Sequence, residues 1–151
     1  MGILETMRVS LSALTAQRVR MDVTASNLAN VDTTRTPRGG PYLRRQVVFA
    51  TEQPSPFARL VQTRTGLVET TPSAGRGVQV AGIVVDRRAV REVYDPTHPD
   101  ADANGIVRYP DIDVVSEMTN LMAATRAYEA NVTVLDALKT MAMRALIIGR
   151  A

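Results

Sequence analysis

Apolar residues recur at helical spacing through the first 30 positions of the chain. Leu4, Leu11, Arg18 and Ala25 fall seven apart, and Met7, Leu14, Met21 and Leu28 follow three positions behind them. That is an a/d seam over four heptads with one charged break, at Arg18. No Gly or Pro interrupts residues 3–29, so the pattern predicts one helix roughly 40 Å long at 1.5 Å per residue. The last 40 residues behave alike. Val114, Met118, Leu121, Thr125, Tyr128, Val132 and Leu135 alternate at spacings of four and three, then drift to Val134, Leu138, Met141, Ala145 and Ile148. Pro110 and Asp111 suit the start of this second helix and Gly149 its stop. It is expected to run about 55 Å.

Between the two patterns the character changes. Residues 32–110 hold all eight prolines and seven of the nine glycines. "RQVVFAT", "GVQVAGIVV" and "AVREVY" are β-branched and partly alternating, and are expected to be strands. "QPSPF" and "TPSAGRG" are expected to be loops. The fold class is therefore α+β. Residues 1–31 and 111–151 form two terminal helices paired as a coiled-coil-like hairpin, and residues 32–110 form a small, irregular β-rich middle. A two-helix hairpin of this length cannot bury its whole apolar stripe alone, and the middle is too loop-rich to cover it. The expected seam comprises Leu4, Met7, Leu11, Leu14, Met21, Met118, Leu121, Val132, Leu135 and Leu146. Leu11, Leu14, Leu135 and Leu146 are expected to be buried between helices in an assembly. The plain alternative is a monomer whose helices fold onto its own β middle.

Composition removes whole classes of function. There is no cysteine, so disulfides, thiolate metal sites and cysteine nucleophiles are excluded. Aromatic content is 4% with no Trp, which argues against an aromatic-lined pocket. No apolar run approaches about 18 residues, so no membrane-spanning helix is expected. The N-terminus lacks the pattern of a secretory signal. Net charge is +3, carried by 17 arginines and one lysine. Arg35, Arg38, Arg44 and Arg45 cluster, yet acids are interleaved and aromatics for base stacking are few. A solvated or protein-facing basic surface fits better than a nucleic-acid groove.

Candidate chemistry is thin. "DADANGIVRYPD" (100–111) places Asp100, Asp102 and Asn104 at positions 1, 3 and 5 of a calcium-loop pattern, with Gly105 at 6. Position 12 is Asp111 rather than Glu, and Pro96 and Pro99 forbid an entering helix. An Asx-rich turn is the expectation. His98 is the lone histidine, with no second ligand and no nucleophile turn to serve. No catalytic residue, metal site or cofactor is expected. One stretch stays open on local chemistry: "ASNLANVDTT" (25–34). Asn30 suits a left-handed position just past a helix. Asn27, one turn earlier, can bond the departing chain or a neighbour.

The same stretch resembles the N-terminal signature of flagellar rod and hook proteins, A-N-N-L-A-N-x-N-T, at Asn27, Leu28, Ala29 and Asn30. Ser26 and Asp32 replace two of its asparagines. "RAYEANVTVLDALKTMAMRALIIG" (126–149) resembles the matching C-terminal signature, with Tyr128, Ala130 and Asn131 in place. "GPYLRRQVVF", "GIVVD" and "VYDPTHPDADANGIVRYPDIDVVSEM" are similar to a short proximal-rod subgroup, although Thr97 stands where that subgroup has Gly. The likeness implies a structural subunit that polymerises into a hollow, torque-transmitting shaft and export channel. It implies terminal helices lining the inner wall, with the β-rich part outside. The implied partners are further copies of itself, other rod proteins, membrane-ring/rod junction proteins and the flagellar type III export apparatus. The implied location is the basal body in the periplasmic space, reached without a cleaved signal peptide. A non-polymerising helical-hairpin adaptor or export-linked chaperone is the alternative.

Overall fold

The structure is a computed structural model that describes residues 2–52 and 76–148. Its elements run α1 (Ile3–Ala29), β1 (Arg45–Thr51), β2 (Val78–Val85), β3 (Val90–Tyr94), β4 (Ile106–Pro110) and α2 (Val114–Ile148). The two helices lie antiparallel. Asn27 bonds Glu117, Arg20 bonds Asn120, and Met21 meets Thr125, so positions descend on one helix as they ascend on the other. α1 has 27 residues and α2 has 35. The fold is thus the expected α+β arrangement of two long helices and small antiparallel strand pairs.

β1 and β2 pair antiparallel from Arg45↔Val85 to Thr51↔Val78, with an irregularity between Val48 and Phe49. This hairpin rests on α1. The end where β2 begins is fixed where Ser12 Oγ accepts the Val78 N–H (3.0 Å) and Gly77 fits against Ser12 with no room for a Cβ. β3 and β4 form a second antiparallel pair, from Val90↔Pro110 to Tyr94↔Ile106. The three expected strands are present. The fourth, β4, lies inside the segment expected to be only a turn. Gly105, at φ +74°, ends that turn and lets Ile106 enter the ladder. The loop expected at "QPSPF", most of "TPSAGRG", and the helix stop at Gly149 fall outside the described residues.

Two local expectations need correction. α2 begins at Val114, not Asp111, because Pro110 still pairs with Val90 and the Asp111 N–H is donated to Ala89 O (2.9 Å). Asp113 is the capping residue. Its carboxylate accepts Val115 N–H (3.1 Å) and Ser116 O–H (2.6 Å), as the first turn of a helix requires. Asn30 is not left-handed: its φ is −111°. α1 ends instead through side-chain capping and tightened backbone bonds, Asn30 N–H to Asn27 O and Val31 N–H to Leu28 O.

Within one chain the seam between the helices takes only part of the apolar pattern. Met7, Leu14, Met21 and Leu28 are half-buried, as are Leu121 and Leu135. Leu4 (82%) and Leu11 (59%) are exposed, and so are Met118, Val132 and Leu146. The buried positions on the helices are small or polar: Ser10, Ala16, Thr24 and Asn27 on α1, and Glu117 and Ala124 on α2. Ala16 lies beside β2 and Thr24 beside β1, so strands share in covering α1, and a count of apolar repeats overlooks such positions.

Candidate functional site: a polar junction at the end of α1

Asn27 is the residue around which the helices and β1 meet. It is 1% exposed. Its Nδ2 donates to Arg45 O (2.8 Å) and its Oδ1 accepts the Arg45 N–H (3.0 Å). The carboxamide therefore stands in for a neighbouring strand, pairing with one residue of β1 as a peptide group would. Nδ2 also donates to Glu117 Oε2 (3.1 Å), and Oδ1 also accepts the Tyr42 O–H (3.0 Å). Two donors and two acceptor positions are all occupied, the full capacity of an Asn side chain. The departing chain is what Asn27 holds, together with the start of α2.

Glu117 closes the junction from the other helix and is 3% exposed. Its Oε1 receives Arg44 Nη2 (2.7 Å) and Arg44 Nε (2.8 Å). A buried carboxylate this well bonded is stable where it sits. Removing either partner would leave an uncompensated charge, at a cost of about 3–5 kcal/mol. Ser26 Oγ lies 3.2 Å from Tyr42 OH, and the Arg45 guanidinium stacks 5.4 Å from the Tyr42 ring centre. Asn30 serves the helix end itself. Its Nδ2 donates to Ser26 O (2.8 Å), and its Oδ1 accepts from Thr33 Oγ1 (3.2 Å).

A second set of bonds ties the helix exit to the β3–β4 loop. Asp100 Oδ2 accepts Thr34 O–H (2.7 Å), and Arg35 Nη1 lies 3.7 Å from Asp100 Oδ1. Asp102 accepts the N–H groups of Asn104 and Ile106, which hold its carboxyl below the usual range. Asp95 is lowered in the same way by the Thr97 hydroxyl and N–H. The calcium-like motif thus folds as an Asx turn whose carboxylates point at its own backbone and at Thr34. His98 Nδ1 accepts the Asp100 N–H (3.1 Å), and the ring sits edge-on to Tyr109 at 6.0 Å.

The two sequence signatures are not brought together. Tyr128 and Asn131 are half-buried and Ala130 is exposed. Asn131 Nδ2 donates to Ala127 O (2.7 Å) of its own helix. They lie roughly 20 Å along α2 from Glu117 at 1.5 Å per residue. Leu28 is half-buried and Ala29 exposed beside Asn27. Tyr42, Arg44 and Glu117 were not among the expected site residues. A signal was present: Glu117 shares the stripe of Leu121 and Ala124, where an isolated acid on a packing face calls for a buried partner. Chemically, the junction is a clasp. Its polar groups are engaged with one another, and it offers no free nucleophile or base.

Two family matches fall on the two helical regions. Residues 7–35 match the family described as "Flagella basal body rod protein", and residues 103–148 match "Flagellar basal body rod FlgEFG protein C-terminal". Asn27 lies in the first match; Glu117, Tyr128 and Asn131 lie in the second. The flagellar basal-body rod protein FlgC of Bacillus subtilis is 45% identical, over 99% of this chain and 100% of that protein. FlgC of Borreliella burgdorferi is 41% identical over 98% of each. FlgC of Salmonella typhimurium is 40% identical over 99% of this chain and 100% of its own length.

Proposed function

The chain belongs to the FlgC family of flagellar basal-body rod proteins and is a structural subunit of the proximal rod, and from this premise we propose that it polymerises through its terminal helices into a hollow shaft that transmits torque and surrounds an export path. The observation that carries the proposal is the outward apolar surface of both helices. Leu4, Leu146, Ile147 and Ile148 are 68–82% exposed. Apolar faces left this bare mark surfaces that a neighbour covers. The role is mechanical, and the polar junction serves it by fixing the angle at which β1 leaves the hairpin.

The partners in this reading are further copies of the chain, other rod proteins, and the proteins that join rod to membrane ring. Among the described residues, no helix is long and apolar enough to cross a membrane. In this reading the subunit sits at the basal body, in the periplasmic space, delivered by the flagellar export apparatus. The expected seam and signature residues are assigned to contacts within and between subunits: Leu4, Leu11, Met118, Val132 and Leu146 between copies, and Met7, Leu14, Met21, Leu121 and Leu135 within the hairpin. The test is direct. Basal bodies purified from cells carrying a tagged chain should contain it in the rod, and deletion of its gene should abolish swimming. A tagged chain absent from purified basal bodies would overturn the reading.

A further inference from the structure

Beside the polar junction, α1, β1 and the start of α2 enclose an open cavity of about 370 Å³. It is lined by Arg20, Arg44 and Arg45 together with apolar residues that include Val47 and Phe49, and the Arg45 guanidinium also stacks on Tyr42. Only one carboxylate, Glu117, lines it, and both of its oxygens are engaged with Arg44 and Asn27. Arg20 has a single neutral partner, Asn120 Oδ1 at 3.1 Å. Among the described residues, no carboxylate lies within ion-pair distance of Arg20 or Arg45. The cavity therefore holds two uncompensated positive charges flanking an apolar surface. Guanidinium groups so placed suit carboxylates in a paired, directional contact.

The complement to that pattern is on the same chain. Glu129, Val132 and Asp136 follow one another at spacings of three and four, on one face of α2. All three are exposed, Val132 at 37%. Neither acid has an ion pair among the described residues, although Arg126 and Lys139 are near in sequence. The row sets Glu129 and Asp136 about Val132, with Arg126 and Lys139 at its two ends; the cavity is lined by Arg20 and Arg45 together with Val47 and Phe49. They cannot meet within one chain. Asn120 marks the cavity on α2, and Val132 lies 12 positions further along, roughly 20 Å at 1.5 Å per residue.

We propose that the Glu129–Val132–Asp136 face of α2 in a second copy of this chain docks on the Arg20/Arg45 cavity. The occupant is a second copy because its exposed acids complement arginines of the cavity that have no carboxylate partner among the described residues. Row and cavity are also different surfaces of one molecule. Such an interface is heterologous and does not close into a dimer. It builds a ring or an open filament. This inference rests on the polymerising reading above and adds to it a named contact.

The chain has no cysteine, which makes the test clean. Gln46 lines the cavity and Thr133 lies in the acidic row; both are exposed. Cells carrying Gln46→Cys with Thr133→Cys are oxidised, and basal bodies are isolated. The expected result is a ladder of disulfide-linked multiples of the chain, abolished by reductant and absent from either single variant. Within one chain the two positions are too far apart to be bridged. A chain incorporated into basal bodies without the ladder overturns the docking while leaving the rod assignment intact; a link to a protein of different mass also overturns it. A second arm uses charge. Arg20→Glu with Arg45→Glu, or Glu129→Arg with Asp136→Arg, should each reduce swimming at least tenfold. All four together should return it to within threefold of the unaltered chain. If the fourfold variant keeps its helical circular dichroism yet swims no better than either pair, the proposed match of charges is wrong.

Discussion

The two ends of the helical hairpin are built on opposite principles. At the end where α1 gives way to β1, the side chains at the helix contact are polar and enclosed. Asn27 and Glu117 are nearly inaccessible, and their polar atoms are bonded. At the other end, the start of α1 and the close of α2 carry large apolar side chains in water. The polar junction is complete in a single chain, although Val115, Met118 and Met122 beside it stay exposed, whereas at the other end the helix termini themselves are bare. A protein that must stay soluble before assembly and become rigid after it benefits from this division. Directional bonds set the geometry locally, and in the proposed assembly non-directional burial joins the copies.

The largest expected effect breaks the completed end. Glu117→Ala leaves the Arg44 guanidinium and the Asn27 amide without their shared partner. It should reduce the unfolding free energy of the chain by about 3–5 kcal/mol. Urea denaturation followed by circular dichroism measures it. Glu117→Gln keeps a polar group in place and should recover part of that loss. A change under about 1 kcal/mol for the alanine variant would mean that the junction is not the stabilising feature it is taken to be.

Asn27→Ala comes next. It removes the bonds to Arg45 N–H and Arg45 O and leaves Tyr42 and Glu117 each short of one. Arg45 itself is exposed, so water can reach part of the vacated site. The expected loss is about 2–3 kcal/mol. Amide hydrogen exchange should show the first residues of β1 losing protection ahead of the middle of α1. Asn27→Asp should be worse than its size suggests, because it sets a second carboxylate against Glu117 and against Arg45 O.

These two residues also show how far the sequence could be read. The helices and three strands were legible because their apolar periods are long or strongly β-branched. The placing of Asn27 at a helix end was legible from local chemistry, and its attachment to the departing chain was one of two open alternatives. Glu117, Arg44 and Tyr42 were not found, since their roles arise from contacts 15–90 residues apart that no periodicity records. β4 was missed for a different reason. Its Asp-, Asn- and Gly-rich approach is a turn signal, and the five-residue strand behind it gains its identity only from pairing with β3. Heptad counting also marks large apolar positions only, so buried Ala16 and Thr24, which lie beside the strands, were not legible in it.

A smaller effect concerns the cap of α2. The Ser116 hydroxyl, then the Val115 N–H, hold the Asp113 carboxyl below its usual range. A carboxyl lowered in the folded state contributes stability that is present above its unfolded pKa and is lost as pH falls through the folded one. Acidification from neutral pH should therefore leave the first turn of α2 ordered until the pH drops below the ordinary carboxylate value of 3.8. Below that it should fray, while the middle of the helix persists. Amide exchange of Val115 and Ser116 against pH reports this. Asp113→Asn, which retains a capping oxygen without the charge, should flatten the pH dependence. Fraying that begins near neutrality would contradict the cap.

The smallest effect on the free chain tests the other end, and it sharpens the contrast most. Leu4 is 82% exposed, so Leu4→Ser removes almost no intrachain contact. The unfolding free energy of the isolated chain should change by no more than about 0.5 kcal/mol, the usual range for surface substitutions. The same substitution should be costly once copies meet, because the side chain it removes is one that the neighbour would bury. Burying a leucine side chain contributes about 1.5–3 kcal/mol, and the loss recurs at each subunit added to the rod. The measurement is therefore paired: denaturation of the purified chain, and the yield of rods with swimming speed in cells. An unchanged chain with impaired rods fits an end completed by neighbours. If Leu4→Ser destabilises the free chain as much as Asn27→Ala does, the start of α1 is already packed in a single subunit, and the division between the two ends fails.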